Sequence, residues 1–129
     1  MVELRKIESR KEISFLVNTF YIKIRKDELL GPIFNEIVQD WDHHLSHLTD
    51  FWETNLLGIR KYKGNPIQAH IDVDKKTDIK ITQGYFGHWL HLWFSTIDEH
   101  FEGEGAFRLK NAARNMSTNL FMRMVMSRK

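Results

Sequence analysis

The sequence predicts an all-α domain of five or six helices, and three observations carry that expectation. Apolar residues recur at helical spacing through the longest patterned segments, as in Ile13, Leu16, Val17, Phe20, Tyr21 and Ile24. The two prolines, at positions 32 and 66, lie outside those segments and act as punctuation. Nothing reads as a strand in need of partners, since "IKIT" (79–82) is too short to require them.

The elements follow in order. Ile13 to Ile24 keep the i, i+3, i+4, i+7 pattern of an amphipathic helix, expected to stop near "LLGP", where Gly31 can cap and Pro32 cannot continue it. "PIFNEIV" is a short turn or helical fragment. A second long helix runs from about Asp40 to Leu57, with Asp40 as its cap and Gly58 as its stop. "IRKYKGNP" reads as loop, and Pro66 suits the first turn of a short helix, "PIQAHI". Residues 72–82 are polar and aperiodic and read as a flexible connection. Two longer helices are expected over about 82–101 and 105–126, separated by "GEG". The last carries Leu109, Ala112, Ala113, Met116, Leu120 and Met124 on one stripe.

A chain of 129 residues suits one domain over 1–129 with one core. With 42% apolar and 28% charged residues, neither disorder nor a coiled coil is the expected class. Aromatics reach 12%, with four Trp and nine Phe, so many large flat side chains need either a dense core or a planar ligand to pack against. Absence of cysteine removes disulfides, thiolate metal sites and thiol catalysis, so any metal must use His, carboxylate or Met. The basic residues are scattered at a net charge of +2, which argues against nucleic acid. No signal-like start and no apolar run near the ~18 residues of a membrane span is present, so a soluble cytoplasmic protein is expected.

The segment "DWDHHLSHLTDFW" (40–52) places three histidines in five positions. On a helix turning about 100° per residue, with His44 at zero, Trp41, Leu45, Leu48, Phe51, Trp52 and Leu56 centre near roughly +60°. His44 therefore sits at the edge of the apolar stripe. His43 and His47 fall near about −100° and −60°, beside Asp50 and Thr54. That pair matches two ligands of a tetrahedral zinc site, but further ligands would have to come from elsewhere, and a solvated polar face is the preferred account. His70 is separate, on the short helix opened by Pro66, where a rigid start fixes the direction of one imidazole. Imidazole is a common iron ligand; a surface histidine is the plain alternative.

Taken together, "FYIKIRKDELLGPIFN" (20–35), "DWDHHLSHLTDFW", the set Tyr62, Gly64, Pro66 and His70, and "ITQGYFGHWLHLW" (81–93) resemble the group III truncated haemoglobins, in the order that family has them. The resemblance implies a two-over-two helical sandwich around haem b. It assigns His70 to the proximal iron ligand, Tyr21 to the distal tyrosine, His44 to the distal histidine, Leu48 to the pocket residue one turn on, and Trp89 to the distal tryptophan. Phe20, Phe51 and Trp52 are then expected on or near the macrocycle. Implied ligands are oxygen, nitric oxide and carbon monoxide. Two donors, Tyr21 and Trp89, over a ligand carrying partial negative charge imply slow release, hence retention, sensing or redox chemistry in place of transport. A peroxidase-like reaction would need His44 or Tyr21 as acid/base; nitric oxide detoxification would need electrons from a separate reductase. A haem-free helical interaction module, with His70 exposed and the aromatics in the core, is the alternative. One departure from the family lies after His70, where extra polar residues including Lys75, Lys76 and Asp78 lengthen the connection and leave the propionate partners open.

Overall fold

The computed structural model describes residues 3–60, 62–76 and 81–128. Six helices form within them: α1 Arg10–Lys26, α2 Gly31–Ile37, α3 Trp41–Leu57, α4 Pro66–Lys76, α5 Gln83–His100 and α6 Glu104–Ser127. β pairing among the described residues is confined to one isolated parallel bridge, where Arg5 joins Phe101. It fastens the N-terminal segment across the α5–α6 corner, Arg5 N–H donating to His100 O at 3.0 Å and Glu102 N–H to Arg5 O at 2.9 Å. No helix among the described residues is long and apolar enough to cross a membrane.

α1 lies between α3 and α5, α5 packs on α6, and α4 rests on α6. The α1 stripe is fully buried from Ile13 to Ile24, because every residue of its i, i+3, i+4 ladder meets one of those neighbours. At the centre the Phe20 ring stands edge-on to Trp93, centroids 4.9 Å apart, and Trp93 stacks on Trp52 at 4.8 Å and on Trp89 at 5.5 Å. The Trp93 indole N–H donates to Leu109 O at 3.3 Å, so its polar handle is satisfied inside the core. On α6 the expected stripe is buried at Leu109, Ala113, Leu120 and Met124, with Ala112 and Met116 half-buried against the core.

α3 is bounded as its sequence dictates. Asp40 Oδ1 accepts from the His43 N–H at 3.1 Å, and Gly58 takes the left-handed conformation at φ 73°. The end of α1 differs from expectation. The helix stops at Lys26, because Asp27 turns its carboxylate onto the N–H groups of Leu29 and Leu30 (3.0 and 2.9 Å) and leaves the helical path. Gly31 does not cap α1; it opens α2, where a Cβ would fall 2.8 Å from Arg25 O, so glycine is needed for the close approach of the two helices. The segment after His70 is also corrected in part. Residues 72–76 are the end of α4, where Asp72, Lys75 and Lys76 face solvent and Asp74 turns toward α6, while 77–80 lie outside the described residues.

Candidate functional site

Tyr21 is 5% exposed, near the end of α1, and is ringed by aromatics from four elements. Its ring lies 4.8 Å from Phe20, 5.8 Å from Phe34 of α2, and 5.9 Å from both Trp41 and His44 of α3. Burial drives the phenol well above its ordinary pKa, and the neighbouring Trp89 side chain of α5 acts against that shift. The hydroxyl therefore stays protonated across physiological pH and keeps a proton to donate. Phe20 and Trp89 are edge-on at 5.1 Å, which holds the indole in place.

α3 supplies the second wall, and its apolar arc is wider than its buried arc. The residues it buries are Thr49, Trp52, Glu53 and Leu56, centred near about +130° on the helical projection. The polar members are compensated, Thr49 bonding Leu45 O at 2.8 Å and Glu53 pairing with Arg10 at 2.8 Å. Trp41, His44, Leu48 and Phe51, between roughly +60° and −20°, are half-buried. His44 is the inward histidine of the three. Its Nε2 is buried without a hydrogen-bond partner, and burial, then the charges of His47 and His43, lower its pKa, so it is neutral at pH 7. His43 and His47 instead stack with each other at 6.2 Å and 9°, and His47 packs on Tyr62 at 4.6 Å. No group of three or more potential metal ligands gathers among the described residues, so the zinc alternative gains no support there.

His70 stands on α4, a helix with no fully buried residue. Its Nδ1 lies 2.7 Å from Pro66 O; a carbonyl only accepts, so Nδ1 carries the proton and Nε2 presents a lone pair. Burial lowers the His70 pKa and the Pro66 bond partly offsets this, keeping the ring neutral near pH 7. The ring faces Phe86 of α5 at 6.2 Å and 30°. Phe86, Trp89 and Trp93 succeed one another at i, i+3 and i+7 on one α5 face. That face thus meets His70 at its first station and the Tyr21 cluster at its second.

Comparison with known proteins decides the family. Over 94 residues the chain is 33% identical to the group 3 truncated hemoglobin of Campylobacter jejuni, the match spanning 70% of each chain. The chain belongs to the group III truncated haemoglobins. Its fold also matches the crystal structure of the group III truncated hemoglobin from Campylobacter jejuni, with a TM-score of 0.84 at 26% identity over 95% of each chain. No protein-family model matches the chain.

Membership in this family implies haem, and the residues of this truncated haemoglobin fit it on three counts. His70 offers a neutral imidazole with Nδ1 engaged and Nε2 available, the state an iron ligand requires. His44 carries an orphaned buried nitrogen beside Tyr21. The half-buried arc of α3 and the half-buried inner face of α4 supply the broad apolar contact a flat macrocycle needs.

The structure brings Tyr21, His44, Trp89 and Phe20 into one cluster. It sets Trp52 apart, 2% exposed and stacked on Trp93 in the core, with Phe51 half-buried between Trp52 and Tyr62 at 5.0 Å from each. Leu48 lies half-buried along the same α3 arc. Sequence reasoning did not single out Phe86, Phe34 or Trp41 as site residues. Phe86 had a usable signal, lying one turn before Trp89 on the same helix face; Phe34 had none, because its contact depends on how α2 folds back on α1.

Proposed function

We propose that this haem-binding globin holds haem b through His70 Nε2 and retains diatomic ligands in a pocket walled by Tyr21, His44 and Trp89. Haem supplies an iron centre that binds oxygen, nitric oxide and carbon monoxide. His70 supports this reading by its fixed tautomer, and the Pro66 carbonyl makes the imidazole a firmer donor while orienting its plane. Tyr21 holds its proton in a site from which water is largely excluded, and the half-buried Trp89 carries a second N–H nearby, so both favour a ligand that gathers negative charge. The neutral His44, with a nitrogen that lacks a partner, is free to accept or donate as the pocket fills. Leu48 and Phe51 provide apolar contact, while Phe20 and Trp52, fully buried, back the wall through Tyr21, Trp89 and Trp93.

The observation that carries the proposal is the buried Tyr21 hydroxyl, with the half-buried Trp89 indole as a second donor, beside an unpartnered imidazole. Such a pocket is suited to retention, or to redox chemistry on nitric oxide or peroxide, better than to oxygen delivery. Redox turnover would draw electrons from a separate reductase. Oxygen dissociation measured by stopped flow tests the proposal: slow release in the wild-type protein supports it, and release as fast as in the Tyr21→Phe, Trp89→Phe double variant opposes it.

A further inference from the structure

We propose that Arg128, just past the end of α6, is a positioning residue for His70, acting through Asp74; this inference rests on the reading of His70 as the iron ligand. α4 has no fully buried residue, so apolar packing holds its rotation and its height above α6 less firmly than it holds the core helices. Arg128 supplies what is missing. Its Nε donates to Asp74 Oδ2 at 2.8 Å and its Nη2 to Asp74 Oδ1 at 2.7 Å, a two-pronged pair that sets orientation as well as distance. The same Nη2 donates to the Ile81 carbonyl at 2.7 Å.

The placement gives the pair its reach. Asp74 follows His70 by four residues, one turn along the same helix face. The Asp74 side chain is only 9% exposed, so its carboxylate is sheltered from solvent more than in an ordinary surface bridge, although Arg128 itself lies at the surface. Ile81 is buried at the entry to α5, the helix that carries Phe86 against His70. One guanidinium therefore ties the end of α4, the start of α5 and the end of α6 together. Rotating α4 so as to swing His70 would break both prongs.

The test compares wild type with Arg128→Gln. In the haem-free proteins, hydrogen exchange at residues 70–76 is expected to rise in the variant, with α1 and α3 unchanged. With hemin added, transfer of hemin to a scavenging apomyoglobin is expected to be on the order of ten-fold faster, and the iron–histidine stretching band of the ferrous protein to shift or broaden. An unchanged exchange profile at 70–76 overturns the proposal. So does faster exchange with an unaltered stretching band and hemin-loss rate, since the pair would then be only structural. His70→Ala, run alongside, separates the two claims. If that variant keeps the wild-type iron–histidine band, the ligand reading fails, while the exchange profile still judges the clamp without reference to haem.

Discussion

Replacing Tyr21 by Phe removes one oxygen atom from the centre of the aromatic cluster and leaves the ring packing against Phe20, Phe34, Trp41 and His44 in place. The lost hydroxyl is a donor that burial keeps protonated. A hydrogen bond to a charged partner contributes about 1.5–3 kcal/mol, so losing it should speed ligand release by roughly ten-fold to a hundred-fold. Some of that is recovered if the neighbouring Trp89 N–H turns to the ligand; the expected net effect is at the lower end, about ten-fold. The assay is oxygen dissociation by stopped flow on the reduced protein, with carbon monoxide association by flash photolysis as a control for access. Circular dichroism and a thermal melt show whether the fold survives the loss of the hydroxyl. An oxygen release rate within two-fold of wild type in a properly folded variant would refute the hydrogen-bond argument.

His70→Ala should abolish stable haem binding while leaving the haem-free helices intact, read by a Soret titration with hemin alongside circular dichroism; retained binding at wild-type affinity contradicts the proximal assignment. His44→Leu removes a buried nitrogen that has no partner, so the haem-free protein should gain about 1 kcal/mol, measured by urea denaturation, and a clear loss would show that the nitrogen is satisfied. Trp93→Ala opens a cavity where three aromatic residues meet a fully buried ring and should cost about 3–5 kcal/mol; a loss below 1 kcal/mol in the same denaturation assay would be inconsistent with that packing. His44 and His70 both titrate below their ordinary value in the folded chain, so the unfolded chain binds more protons as pH falls below about 6.5. Stability of the haem-free protein should accordingly be flat above about pH 7 and decline on acidification from about 6.5, and denaturation midpoints that rise over that interval would reverse the sign.

Much of the fold was legible because it is written in local patterns. The α1 ladder, the Asp40 cap and the Gly58 stop each concern residues within a turn or two of one another. Local reading failed where a distant or competing group intervened. Asp27 ends α1 before Gly31 can act, and it also engages His88, 61 residues away, at 2.8 Å. The polar residues of 72–76 read as loop, yet they continue α4, and Asp74 is held by Arg128, 54 residues on. At the site, the helical projection turned His44 inward and His43 outward, as they are placed, whereas His47, read as solvent-facing, is half-buried against the Tyr62 ring. It could not show that Glu53 and Thr49 would be buried in place of Trp41 and Phe51, since for Glu53 that depends on Arg10 reaching across from α1. The tautomer of His70 and the Tyr21–Trp89 pairing needed coordinates, because both turn on side-chain direction.

The most direct test of the central claim is the visible absorption spectrum of the purified protein, hemin added where needed, recorded oxidised, reduced, and reduced under carbon monoxide. The account expects a Soret band that shifts on reduction and again with carbon monoxide, as a haem site with one protein ligand and one accessible position would give. No Soret band even with added hemin would contradict it, and the chain would then be a globin scaffold serving as a haem-free interaction module.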